Sequence, residues 1–100
     1  MSQHREFVEN LKQQLEDWDY QVDRFQARLG DMRTEMRDKA EAALKEVQSH
    51  RSQVKAKLDE MEKHSESAWQ DLKDGVEIAW DGLRTAYYAA RSEFEDDDKA

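Results

Sequence analysis

Histidine and carboxylate are the side chains in this sequence that could carry chemistry. Of the three histidines, His4, His50 and His64, two stand four residues after a glutamate, as Glu46–His50 and Glu60–His64. That spacing puts both groups on one helix face and permits a surface metal site. A di-iron bundle needs Glu-x-x-His at i,i+3 on two helices, and no glutamate stands three residues before any histidine here. His50 falls on an apolar seam, where a packed neutral imidazole is the commoner finding. The 24 acidic residues fall mainly on positions where a helix would face solvent, and there they solubilise rather than pair as acid and base. With no cysteine there is no thiol nucleophile, cysteine–zinc site or disulfide framework. Neither a Ser-His-Asp arrangement on rigid turns nor a glycine-rich phosphate cradle is present. The expectation is no enzymatic activity, no metal centre and no cofactor.

The elements that would position such groups are helices. In 100 residues, enough for one small domain, there are no prolines, three glycines and a charged fraction of 40%. Strand signals are missing, because Asp74-Gly75 and Asp81-Gly82 sit inside helical periodicity and not between alternating β-branched runs. No apolar run reaches the ~18 residues of a membrane span, and MSQHREFVEN has no signal-peptide core. A cytoplasmic location is the default expectation. The net charge of −8, concentrated in the end Glu93-Phe94-Glu95-Asp96-Asp97-Asp98, argues against nucleic-acid binding.

From Glu6 onward an apolar seam runs through Val8, Leu11, Leu15, Trp18, Val22, Phe25, Leu29, Met32 and Met36 in steps of three and four, the pattern of a coiled coil. It then passes, with extra steps of four, through Ala40, Ala43, Val47, His50, Val54, Leu58 and Met61. Such stutters straighten a supercoil. Alanines and a histidine make the middle thin.

The last third is organised by a near-duplication, AWQDLKDGVEI (Ala68–Ile78) followed by AWDGLRTAYYA (Ala79–Ala89). On a helical wheel, Trp69, Leu72, Val76, Trp80, Leu83, Tyr87 and Phe94 form a bulky packing stripe. Gly75, Ala79, Gly82 and Ala86 line one flank of it. A glycine inside a helix costs about 1 kcal/mol against alanine, so the small flank marks close approach of another helix. Lys73, Arg84 and Arg91 line the other flank.

Two places compete for the reversal. Lys63-His64-Ser65-Glu66-Ser67 offers N-cap serines, with Gln70 three residues beyond Ser67 in capping-box spacing. Gly30-Asp31 offers a C′ glycine before a capping aspartate, but the seam crosses it in phase. The expectation is therefore an all-α single domain, a long helical hairpin with one turn near 63–67. Helix one would span about 5–62, helix two about 67–94, and an acidic tail 95–100. The alternative is a three-helix bundle with a second turn near 30–31. In the hairpin the short helix covers only half of the long one. Leu11, Leu15, Trp18, Val22 and Phe25 would stay wet, and burying one such side chain is worth about 1.5–3 kcal/mol. A self-association interface at those five residues, giving a homodimer or larger assembly, follows from that arrangement.

The beginning FVENLKQQLEDWDYQVDRF and the end SAWQDLKDGVEIAWDGLRTAYYAARSEF resemble a family of small bacterial coiled-coil proteins associated with stress responses. The specific part is alanine–tryptophan twice at eleven-residue spacing, with Leu72 and Leu83 three residues after each tryptophan. The resemblance implies a helical protein linked to stress, with no activity or catalytic residue to carry over. The eleven-residue period, though not the motif, is similar to that of late-embryogenesis-abundant proteins and exchangeable apolipoproteins. Two functional classes follow. One is a non-enzymatic structural or interaction protein that associates with itself and with a protein partner. The other is a reversible lipid-surface binder acting through the amphipathic C-terminal helix; the acidic tail and net charge disfavour that one.

Overall fold

A computed structural model describes residues 3–63 and 68–99, with side chains through Glu95. Three helices account for nearly all of it: α1 (Gln3–Arg28), α2 (Thr34–Lys63) and α3 (Trp69–Lys99). A single 3-10 turn, Leu29–Asp31, joins the first two. At 26, 30 and 31 residues the helices are about 39–46 Å long, which matches the 51 × 19 × 18 Å extents of the molecule. Each is long enough to cover the others along their whole length.

The arrangement is up-down-up. His4 of α1 meets Met61 of α2, and Asp19 meets Arg51, so α1 and α2 run antiparallel. Phe7 meets Trp69, Trp18 meets Trp80, and Phe25 meets Phe94, so α1 and α3 run parallel. Antiparallel α2 and α3 lie closest, with their backbones at short range along their lengths; α1 approaches either at few points.

The core shows why. The buried residues of α2 and α3 include the small Ala40, Ala79, Ala86 and Ala90, with Val47, Val54 and Val76, beside the larger Leu44, Leu58, Met61 and Leu83. From α1 the core receives Val8, Leu11, Leu15 and Val22, with Phe7, Trp18, Phe25 and Leu29 packed half-buried against it. Bulky side chains hold α1 at a distance; small ones draw α2 and α3 together.

The long first helix expected over 5–62 is not what forms. The chain breaks at Leu29–Arg33 and reverses, giving the three-helix alternative. At Met32 the backbone is extended, with φ −88° and ψ 155°, and its N–H closes the turn on the Leu29 carbonyl at 3.3 Å. The seam keeps phase across this reversal because Met32, 7% exposed, turns inward to the same core. Closing the bundle removes from water the five seam residues that a straight helix would expose, and that gain outweighs one lost helical turn. Helix α3 also continues past 94 to Lys99. Phe94, 1% exposed, anchors its last turns and Arg91 pairs with Glu95 at 2.9 Å, with no glycine or proline to stop the helix. The other turn is bounded by Lys63 and Trp69; His64, Ser65, Glu66 and Ser67, and with them the capping expectation, lie outside the described residues.

The two glycines on the small flank differ. A Cβ at Gly82 would come within 2.9 Å of His50 Nδ1, whereas at Gly75 it would meet only Lys57 Nζ at 3.7 Å. Gly75→Ala should therefore stabilise by up to about 1 kcal/mol. Gly82→Ala should lose part or all of that gain, because the half-buried His50 imidazole must shift to make room. Urea midpoints measure both, and adding His50→Ala to Gly82→Ala should restore the helix gain.

Candidate functional site: the aromatic seam between α1 and α3

Aromatic residues on α1 and α3 share one spacing. Phe7, Trp18 and Phe25 are separated by eleven and seven residues, as are Trp69, Trp80 and Tyr87. Parallel helices with equal spacing set their rings opposite one another: Phe7 lies 5.9 Å from Trp69, Trp18 4.8 Å from Trp80 and Phe25 6.2 Å from Tyr87, between ring centres. Each later α1 ring also reaches the next one on α3. Trp18 stacks on Tyr87 at 4.6 Å with planes 5° apart, and Phe25 on Phe94 at 4.6 Å and 14°.

Trp18 is the centre of this set. Trp80 and Tyr87 are seven residues apart, about 10.5 Å along the helix, which admits one flat ring between them. The Trp18 indole fills that gap, stacked on both faces. Aromatic pairs of this kind contribute about 0.5–1.5 kcal/mol beyond their buried area. Tyr88, 51% exposed, closes the outer edge at 6.4 Å.

Ends and edges are pinned by polar contacts. His4 donates from Nε2 to the Met61 carbonyl at 3.0 Å, satisfying one acceptor of the final turn of α2, while its ring stacks on Trp69 at 5.7 Å. Arg51 forks onto Asp19 at 2.6 and 2.8 Å, and Lys12 pairs with Glu62. Both ion pairs are more than one-third exposed, so each is worth about 0.2–1 kcal/mol. The Glu62 hydrogen bond raises the Lys12 ammonium and the Asp19 hydrogen bond the Arg51 guanidinium. No polar or charged residue among those described is buried.

The sequence-predicted residues distribute as follows. Leu11, Leu15 and Val22 are buried and Trp18 and Phe25 half-buried within the chain's own bundle. The seam expected to await a second copy is thus covered by α2 and α3, because the turn at 29–31 brings them back over it. On α3, Trp69, Val76, Trp80, Leu83, Tyr87 and Phe94 are buried and Leu72 half-buried. Ala79 and Ala86 are buried on the flank facing α2, and Gly82 lies under the His50 ring. His4, Phe7, Asp19 and Arg51 were not singled out from sequence. The polar start reads as a fraying end, yet the shared eleven-and-seven spacing was visible and gives the α1–α3 register directly. Leu44, 3% exposed, was passed over in favour of its neighbour Ala43.

Among the described residues no group of three or more His, Cys, Asp or Glu is placed to hold a metal ion. Glu46 Oε2 stands 3.8 Å from His50 Nε2, a single pair. No helix among the described residues is long and apolar enough to cross a membrane. No family model, curated protein or solved structure matches the chain.

Trp18→Ala should cost about 3 kcal/mol, the lower end for a large aromatic because the ring is half-buried, against about 0.5 kcal/mol or less for exposed Tyr20→Ala; urea titrations compare them. Burial raises the Tyr87 hydroxyl above the usual phenol range, with Arg91 partly opposing. A phenol raised on folding stays neutral in the native state while the unfolded one ionises. Its stabilisation is complete below about pH 10 and lost as pH rises through the folded value. Tyr87→Phe, which keeps the ring, should flatten the alkaline fall in stability. The Lys12 and Arg51 shifts, also upward, leave a residual slope.

Proposed function

We propose that this chain is a non-enzymatic helical interaction protein whose first partner is a second copy of itself. The observation that carries the reading is the way α1 is held. It docks on the α2–α3 hairpin through buried Val8, Leu11, Leu15 and Val22, half-buried rings and rim ion pairs, with the backbones kept further apart than those of α2 and α3. The hairpin therefore presents a surface that recognises an amphipathic helix by its ring spacing, a helix-in-groove mode of binding. In the closed bundle the chain's own α1 occupies it. Resemblance of both ends of the sequence to small bacterial coiled-coil stress proteins is the reason to look for this association under stress and in the cytoplasm.

Two observations favour protein over lipid as the partner. The α3 aromatic stripe is stacked against α1 and not turned outward. Each cation flanking it has an acidic neighbour, Lys73 with Glu77, Arg84 with Asp81 and Arg91 with Glu95, so the flank offers an anionic surface little net charge. Tryptophan emission unchanged by liposomes, in the native chain as in Trp80→Glu, is the expected result.

Size-exclusion chromatography with light scattering tests self-association. Because a short linker holds α1 in cis at an effective concentration in the millimolar range, the loading should run from about 10 µM to 1 mM. The expected result is a mass that climbs from that of one chain, 11.9 kDa, toward twice that value. A mass fixed at one chain over the whole range would end the reading.

A further inference from the structure

The turn between α1 and α2 contains nothing that a helix would refuse. None of its residues has a positive φ, Gly30 included. Arg28 is already helical at φ −80° and ψ −17°, and the extended residue is Met32. A Cβ on Gly30 would meet nothing within 4 Å. Across the turn, Phe25, Leu29, Met32 and Met36 follow one another in steps of four, three and four, the register of uninterrupted helix. A reversal that needed no in-phase seam carries one nonetheless. Rotating the backbone near Met32 from extended to helical would join α1 and α2 into one helix of about 60 residues, roughly 90 Å long.

We propose that the chain exchanges α1 with a second copy of itself: the turn straightens, and each α1 lies on α2 and α3 of the partner subunit in the register it holds here. This deepens the self-association reading and rests on it. The topology allows closure. Because α1 is antiparallel to α2, two straightened helices lie antiparallel, the α1 half of each beside the α2 half of the other. A twofold axis between the two turns then closes the assembly at two. Trp18 enters between Trp80 and Tyr87 of the partner subunit, and Asp19 meets the partner's Arg51. Every contact that fixes α1 moves with it, so the two states differ only in the turn and in the entropy of association. In cis the short connection favours the closed monomer; exchange rises with concentration.

Substitutions in the turn discriminate the two states. Thr34 is exposed and is the first residue of α2, after Arg33, whose carbonyl accepts from Arg37 N–H at 2.8 Å. Proline suits that position, while inside a continuous helix it is disfavoured roughly a hundredfold per chain. Gly30→Ala serves as the control, because residue 30 has no positive φ and open space for a Cβ in the turn, so alanine is accepted there as in the continuous helix. The chain has no cysteine, so one population carrying Asp19→Cys and another carrying Arg51→Cys can be mixed and joined with a short bis-maleimide. The lost ion pair is partly exposed, and circular dichroism checks that both populations fold.

Expected are an intermolecular cross-link between positions 19 and 51 that persists in Gly30→Ala and is lost with Thr34→Pro, and a matching loss of the dimer mass by light scattering in Thr34→Pro. A dimer that survives Thr34→Pro, or one that fails to cross-link 19 to 51, overturns the exchange while leaving self-association standing. Monomer at every concentration overturns both.

Discussion

The insertion of Trp18 between Trp80 and Tyr87 is the constraint from which the rest of this bundle follows. A ring stacked on both faces by residues seven apart fixes the axial position of α1 to within one helical turn. It also sets the separation of α1 from α3, because two stacked spacings of 4.6–4.8 Å require the indole to project across the gap. With that distance fixed, α1 meets α3 largely through rings, while alanines and Gly82 let the backbones of α2 and α3 come closer. The unequal spacing of the three helices is thus one solution to one steric problem.

That division also separates two kinds of stability. The α2–α3 contact is continuous, and His50 lying over Gly82 gives it local shape specificity. The α1 contact is a series of discrete points, with His4 and Phe7 at Trp69, Trp18 in the middle and Phe25 at Phe94, and the Asp19–Arg51 and Lys12–Glu62 pairs on the opposite edge. Discrete points of contact break with less concerted rearrangement than interdigitated faces. The first helix is the part of the fold suited to leaving and returning.

Much of this was legible in the residues, and the misreading is informative. Heptad spacing located the α1 face, and the eleven-residue duplication located the α3 stripe and its small flank. The duplication marks Gly75 and Gly82 alike, but pattern alone cannot say which one faces a ring and which a flexible lysine; that depends on where His50 falls across the interface. The turn at Leu29–Asp31 was outweighed because the seam runs through it in phase, and phase is local evidence. What decides the turn is non-local: whether α3, some sixty residues away, carries rings at the spacing of Phe7, Trp18 and Phe25. The matched spacing of the two aromatic series, Phe7, Trp18 and Phe25 with Trp69, Trp80 and Tyr87, carries the register that neither series holds alone.

Among the described residues the polar groups of buried side chains are confined to tyrosine and tryptophan, and this bears on how unique that register is. In helical assemblies a buried polar residue commonly fixes partner number and orientation at a cost in stability. Here no such group restrains α1, so its specificity rests on ring shape and on ion pairs at the rim. Both travel with the helix. A surface that recognises α1 by those features cannot distinguish the α1 of its own chain from that of another, and only the connection through residues 29–33 makes the distinction. Under the proposed exchange, the in-phase seam across that connection has a physical reading: sequence and packing leave the choice between cis and trans to the backbone of one short turn.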